Sequence, residues 1–160
     1  MRPNLRFIER KTALKFNERK TVMKAQRVDT WAATIKDKPG ALAARFKALS
    51  AAGVNLEFVI ARRSPEKRGA GVVFVTPIKG PKQAGAAGAA GFKKTRSLHT
   101  VRLEGVNKRG QGARLTQALA DEGLNLRGLS AAAIGNKFVC HIAVDSEADA
   151  NKVARILNKL

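Results

Sequence analysis

Asp37 to Leu56 reads DKPGALAARFKALSAAGVNL, and Asn107 to Leu126 reads NKRGQGARLTQALADEGLNL. The second stretch lies 70 positions after the first, and 8 of the 20 paired positions are identical. The identities include Gly40/Gly110, Ala43/Ala113, Leu49/Leu119, Gly53/Gly123, Asn55/Asn125 and Leu56/Leu126. They fall at a turn, on one helix face and at a helix end, where a shared backbone path requires them. The pattern is that of a duplicated supersecondary unit.

Working outward, each copy predicts the same order of elements. In the first copy, Val28 to Lys36 alternates through Trp31, Ala33 and Ile35, as a half-buried strand does. Asp-Lys-Pro-Gly turns the chain into a helix whose Leu42, Phe46 and Leu49 form an apolar stripe. Gly53 is placed to end that helix in the left-handed conformation. Strands follow at Leu56 to Arg62 and Val72 to Val75, then a weak, glycine-containing helix at Pro81 to Ala90. In the second copy, Leu98 to Leu103 is a strand and Gln111 to Glu122 a helix. Strands at Leu126 to Ile134 and Phe138 to Val144 flank the turn Gly135-Asn136-Lys137. A helix capped at Asp145-Ser146 closes the chain and buries Val153, Ile156 and Leu157. Two β-α-β-β-α units with helices on one face of antiparallel sheets make an α+β protein. The expected division is a basic extension over 1–22, a first module over 23–92 and a second over 93–160. Met23-Lys24 reads as an alternative start, so 1–22 need not belong to the functional unit.

The chain has 160 residues, 44% of them apolar but only 5% aromatic, so its core is built from aliphatic side chains. Its net charge is +19, spread as +5, +8 and +6 over those three segments. Such a field attracts polyanions and acidic metabolites, so a nonspecific nucleic-acid or polyanion binder is one functional reading. Sequence-specific RNA reading is not expected, because Phe58, Phe74 and Phe138 lie in no RNP-like run. One cysteine, Cys140, excludes an intramolecular disulfide framework and a CxxC metal site, in keeping with a cytoplasmic setting. No apolar run is long enough to span a membrane. Cys140 and His141 are adjacent in a strand and point to opposite faces, so they form no nucleophilic pair. No set of acid, base, nucleophile or metal ligands emerges, and neither an enzyme nor a cofactor is expected.

Two readings stand at the turn before each helix. Asp37 and Asn107 could do no more than organise the turn, with Pro39 starting the first helix. Alternatively, the exposed N–H groups of the helix start could hold a carboxylate, with Gly40 and Gly110 allowing close approach. An amino acid carries that carboxylate and an ammonium group for Asp37 or Asn107.

The order strand, Asp37-Lys38-Pro39-Gly40-Ala41-Leu42, helix, Ala52-Gly53-Val54-Asn55-Leu56, strand resembles the ACT domain, a ferredoxin-like regulatory module. The second copy repeats it in Asn107-Lys108-Arg109-Gly110 and Gly123-Leu124-Asn125-Leu126. The resemblance covers about residues 27–160 and implies a free-standing tandem ACT protein with no catalytic domain. It further implies amino-acid or similar effector binding at the first strand-to-helix loop. Here that is Asp37, Lys38, Pro39, Gly40, Ala41 and Leu42, and Asn107, Lys108, Arg109, Gly110, Gln111 and Gly112. Arg109 replaces the motif proline, so the two sites are expected to be unequal. The family fold ends in a strand that the second copy lacks. Phe92 to Ser97 could supply that strand in the first copy, or Leu98 to Leu103 could serve both. The uncovered first-strand edge implies side-by-side association of the modules and a homodimer.

Overall fold

A computed structural model describes residues 23–160. The basic extension expected over 1–22 lies outside them. The described residues form eight strands and four helices. In chain order these are β1 (Lys24–Val28), β2 (Trp31–Lys36), α1 (Ala41–Ala51), β3 (Phe58–Arg63), β4 (Ala70–Thr76) and α2 (Gly80–Ala89). There follow β5 (Lys93–Lys94), β6 (His99–Val106), α3 (Gln111–Asp121), β7 (Gly128–Ile134), β8 (Lys137–Val144) and α4 (Glu147–Leu157). They build two four-stranded antiparallel sheets, ordered β3-β4-β2-β5 and β1-β6-β8-β7.

The expected strand at Val28 to Lys36 is broken at Asp29-Thr30, and its two sides enter different sheets. Lys24–Val28 pairs with β6, with Ala25 opposite Leu103 and Val28 opposite Thr100. The strand that the second module lacked at its C-terminal end is therefore supplied from the N-terminal side of the first. This moves residues 23–28 out of the first module, where the sequence had placed them. Apolar burial explains the exchange. Met23 and Ala25 are buried in the second core with Leu103, Leu119, Ile142 and Leu157. The far edge of β1 is held too. The Asn158 side-chain carbonyl accepts from the Ala25 N–H at 2.8 Å, and its amide donates to the Ala25 carbonyl at 2.9 Å. The first sheet takes its fourth strand from Lys93–Lys94, inside Phe92 to Ser97, one of the two stretches that could supply it; Leu98 to Leu103 does not serve both copies. Both first-strand edges, on β2 and β6, are thus paired within the chain.

The two sheets share no ladder, so side-by-side pairing of the modules does not occur within the chain. They meet through side chains. Thr30 and Thr100, 70 positions apart, join hydroxyl to hydroxyl at 2.8 Å in a buried contact. A residue that touches its own repeat equivalent lies on the pseudo-two-fold axis between copies. Beside it the Phe58 ring stacks on His141, with centroids 4.0 Å apart and planes at 20°. Arg102 Nε lies 3.7 Å from Glu57 Oε2 across the same junction. His141 is only 4% exposed. Burial, reinforced by the Arg102 guanidinium, pushes its imidazole down to about 4.

Two outcomes test this account. Asn158→Ala leaves two backbone groups of Ala25 without their partner. It should lower stability by about 1–3 kcal/mol in urea unfolding, with Lys24–Val28 amides the first to gain hydrogen exchange. An unfolded histidine takes up its proton near 6.5, whereas His141 in the folded state resists until about 4. Its contribution should be complete above pH 6.5 and shrink as pH falls towards 4. The urea midpoint should therefore drop more between about pH 7.5 and pH 5 in the wild type than in His141→Phe.

Candidate functional site

The two strand-to-helix loops have the same backbone. Gly40 and Gly110 precede their helices with φ of 81° and 77°, in the left-handed region that a side chain enters at a cost. Ala41 N–H donates to the Lys38 carbonyl and Gln111 N–H to the Lys108 carbonyl, at 3.3 and 3.1 Å. Ala44 and Arg114 N–H donate to the Gly40 and Gly110 carbonyls. Each loop is pinned to the neighbouring hairpin turn. Asp37 N–H donates to the Gly69 carbonyl and Asn107 N–H to the Asn136 carbonyl. The helix ends match as well, with Gly53 and Gly123 at φ of 76° and 71°.

A glycine at the cap leaves no side chain to satisfy the helix start. The N–H groups of Leu42 and Ala43, and of Gly112 and Ala113, have no acceptor among the described residues. Both helices thus begin with two free donors at the positive end of the dipole.

The surroundings differ. The first loop borders a depression of about 280 Å³ lined by Lys36, Lys38, Ala41, Ala44, Arg45 and Ala48 among others, with no acidic side chain. The second borders one of about 190 Å³ lined by Asn107, Gln111, Gly112, Leu115, Ala131 and Phe138 among others. Of the residues singled out in the sequence, Lys38 and Ala41 line the first depression, and Asn107, Gln111 and Gly112 the second. Pro39, Gly40, Lys108, Arg109 and Gly110 line neither, and Leu42 packs against the first core. The positive charge of Arg109 therefore does not face the second depression. Asp37 is engaged by Arg63, with Nε 3.0 Å from Oδ2. Gln111 reaches Met23, its Nε2 donating to Sδ at 2.8 Å.

Residues 33–90 match the ACT domain. That span contains the first loop, α1 and the hairpin that pins the loop. Comparison with curated protein sequences gives no match. Several solved structures share the fold. Protein BT0572 from Bacteroides thetaiotaomicron is 18% identical over 85% of this chain and 99% of its own, with a TM-score of 0.68. The ligand-free regulatory subunit of aspartate kinase from Thermus thermophilus is 19% identical over 87% of this chain and 96% of its own, with a TM-score of 0.59. Aspartate kinase from Clostridium acetobutylicum is 15% identical, with a TM-score of 0.58. The alignment takes in 87% of this chain but 34% of the kinase. The likeness is one of fold, the α+β ferredoxin-like ACT type built twice.

Within the ACT segment, sequence reading missed Arg45 and Arg63. Arg45 lies one helical turn beyond Ala41, and that spacing could have flagged it. Its repeat equivalent is Leu115, which is buried in the second core. The guanidinium of Arg45 instead donates to the Ala90 carbonyl. This exchange adds a guanidinium to Lys36 and Lys38 at the first depression and an aliphatic side chain to the second. A Cβ at Gly40 or Gly110 would meet no atom within 4 Å, so the cost of substitution is that of the backbone alone. Gly40→Ala and Gly110→Ala should each destabilise by about 1–2 kcal/mol in urea titrations, and Gly40→Asn by less.

Proposed function

We propose that the protein is a regulatory, non-catalytic binder of a small effector, an amino acid, acting through its ACT-type modules in the cytoplasm. The observation that carries this reading is the uncapped start of α1. The free N–H groups of Leu42 and Ala43 sit beside a basic depression formed by Lys36, Lys38 and Arg45. The effector's carboxylate would lie on those donors, where the helix dipole favours negative charge. Its ammonium group would turn to Asp37, whose Oδ2 is engaged by Arg63. The second loop repeats the donors but not the basic walls, which supports a weaker or differently tuned second site.

A homodimer belongs to the same proposal. Strand β7 is an outer edge of its sheet, and its sequence GLSAAAI carries no charge. Leu129 is exposed on it, and Ile134 is 81% exposed. An uncharged apolar edge of this kind favours pairing with another chain. Effector binding would then bias the assembly, a coupling between two sites.

Calorimetry against the twenty amino acids tests the reading. At least one should bind saturably and raise thermal stability, since a ligand at about 100 times its Kd adds about 2.7 kcal/mol to the folded state. Gly40→Val should abolish that binding and Asp37→Ala should weaken it about tenfold. Absence of saturable binding, or binding indifferent to both substitutions, overturns it.

A further inference from the structure

The two copies are not equal where their sheets face each other. The hairpin loop between β3 and β4 is longer than that between β7 and β8. Phe58 and Gly128 are 70 positions apart, but their partners Thr76 and Ala143 are 67 apart. In this register Phe74 is the structural equivalent of His141, and Gly128 is the equivalent of Phe58. On one side of the pseudo-axis Phe58 stacks on His141. On the other side the equivalent pair is Gly128 and Phe74. No ring is present there to stack on Phe74. All four residues line a single cavity of about 480 Å³ between the modules. That volume is in the range of small-molecule sites.

The rim of this cavity is basic. Arg62 and Arg127 line it, and no carboxylate does. Arg127 is already engaged by the Ser97 carbonyl at 2.6 Å and by Asp145. Arg62 has no hydrogen-bond or ion-pair partner among the described residues. The Nε2 atom of His141 is also buried without a partner.

We infer that this inter-module cavity is a second ligand site, one that takes a small aromatic carboxylate whose ring fills the place left by Gly128 against Phe74. The carboxylate meets Arg62 in bidentate fashion. The ring stacks on Phe74 as Phe58 stacks on His141. With no acid in the lining, an ammonium group finds no partner and is repelled by the arginines. The site therefore differs in chemistry from the loops, and selects against the amino acids proposed to bind there.

Phenylacetate is the probe, with L-phenylalanine and phenethylamine as amine-bearing controls. The chain has only two histidines, so the ring protons of His141 are resolved by comparison with a His141→Gln spectrum. Phenylacetate should shift those signals saturably, with a Kd of about 1 mM or tighter for a ligand of this size. Neither control should reproduce the shift. Gly128→Phe supplies the missing ring from the protein. A Cβ at Gly128 meets nothing closer than Ala143 Cβ at 3.9 Å, so this variant should fold. It should abolish phenylacetate binding while unfolding in urea at or above the wild-type midpoint. Arg62→Ala, at an exposed position, should weaken binding about tenfold. The inference is overturned by any of three results. These are no saturable shift, an equal shift with L-phenylalanine, or phenylacetate binding that survives both Gly128→Phe and Arg62→Ala.

Discussion

The pairing of β1 with β6 is the constraint on which the rest of the structure depends. Without Lys24–Val28 the second sheet would present the edge of β6 to solvent and lose Met23 and Ala25 from its core. An open edge of that kind is prone to pair with other chains. Because β1 belongs to the second sheet and β2 to the first, the chain crosses between modules within two residues, Asp29 and Thr30. So short a crossover leaves the modules little freedom. Thr30 is buried against Thr100 at that point, and the axis between the copies passes there. Asn158, just beyond α4, ties the other edge of β1. The two ends of the described chain thereby secure the same strand.

Once the axis is set, the duplicated loops and the unequal inter-module face follow from different rules. The loops are alike because backbone geometry imposes their form. A left-handed glycine is needed at 40 and 110, another at 53 and 123, and a hairpin carbonyl must accept from residue 37 or 107. The walls around the loops are free of that requirement. Leu115 completes a core in one copy, whereas Arg45 reaches a carbonyl in the other. Duplication thus yields two like, uncapped helix starts in unequal electrostatic settings. Between the sheets the same divergence leaves one aromatic stack complete and the other missing a ring.

Burial accounts for the chemistry of Cys140 and His141. Cys140 lies in the second core, and burial pushes its thiol up to about 11. His141 points the other way, into the junction, and is held neutral by burial and by Arg102. Neighbours in sequence thus serve two separate surfaces, as alternation along a strand requires.

The repeat, the two helix-start loops, the ending glycines and the α+β class were legible in the sequence, because each rests on local rules. Alternation marks strands, apolar spacing marks helix faces, and glycine is called for where φ is positive. For the fourth strand of the first sheet the family resemblance left Phe92 to Ser97 and Leu98 to Leu103 both open, and the structure uses Lys93–Lys94. The origin of the second sheet's fourth strand was not legible. Lys24–Val28 carries only Ala25 and Val28 as apolar strand residues, and its partner lies more than 70 residues away. Its place is settled by a core that exists only when the chain has folded. Tertiary structure alone also decided that Asp37 pairs with Arg63 and that Arg45 reaches the Ala90 carbonyl. The facing of Phe58 on His141, with Gly128 opposite Phe74, likewise depends on how the two sheets meet. Sequence periodicity speaks to which face a residue takes within its own element. Which residue stands across from it is set by packing between elements distant in the chain.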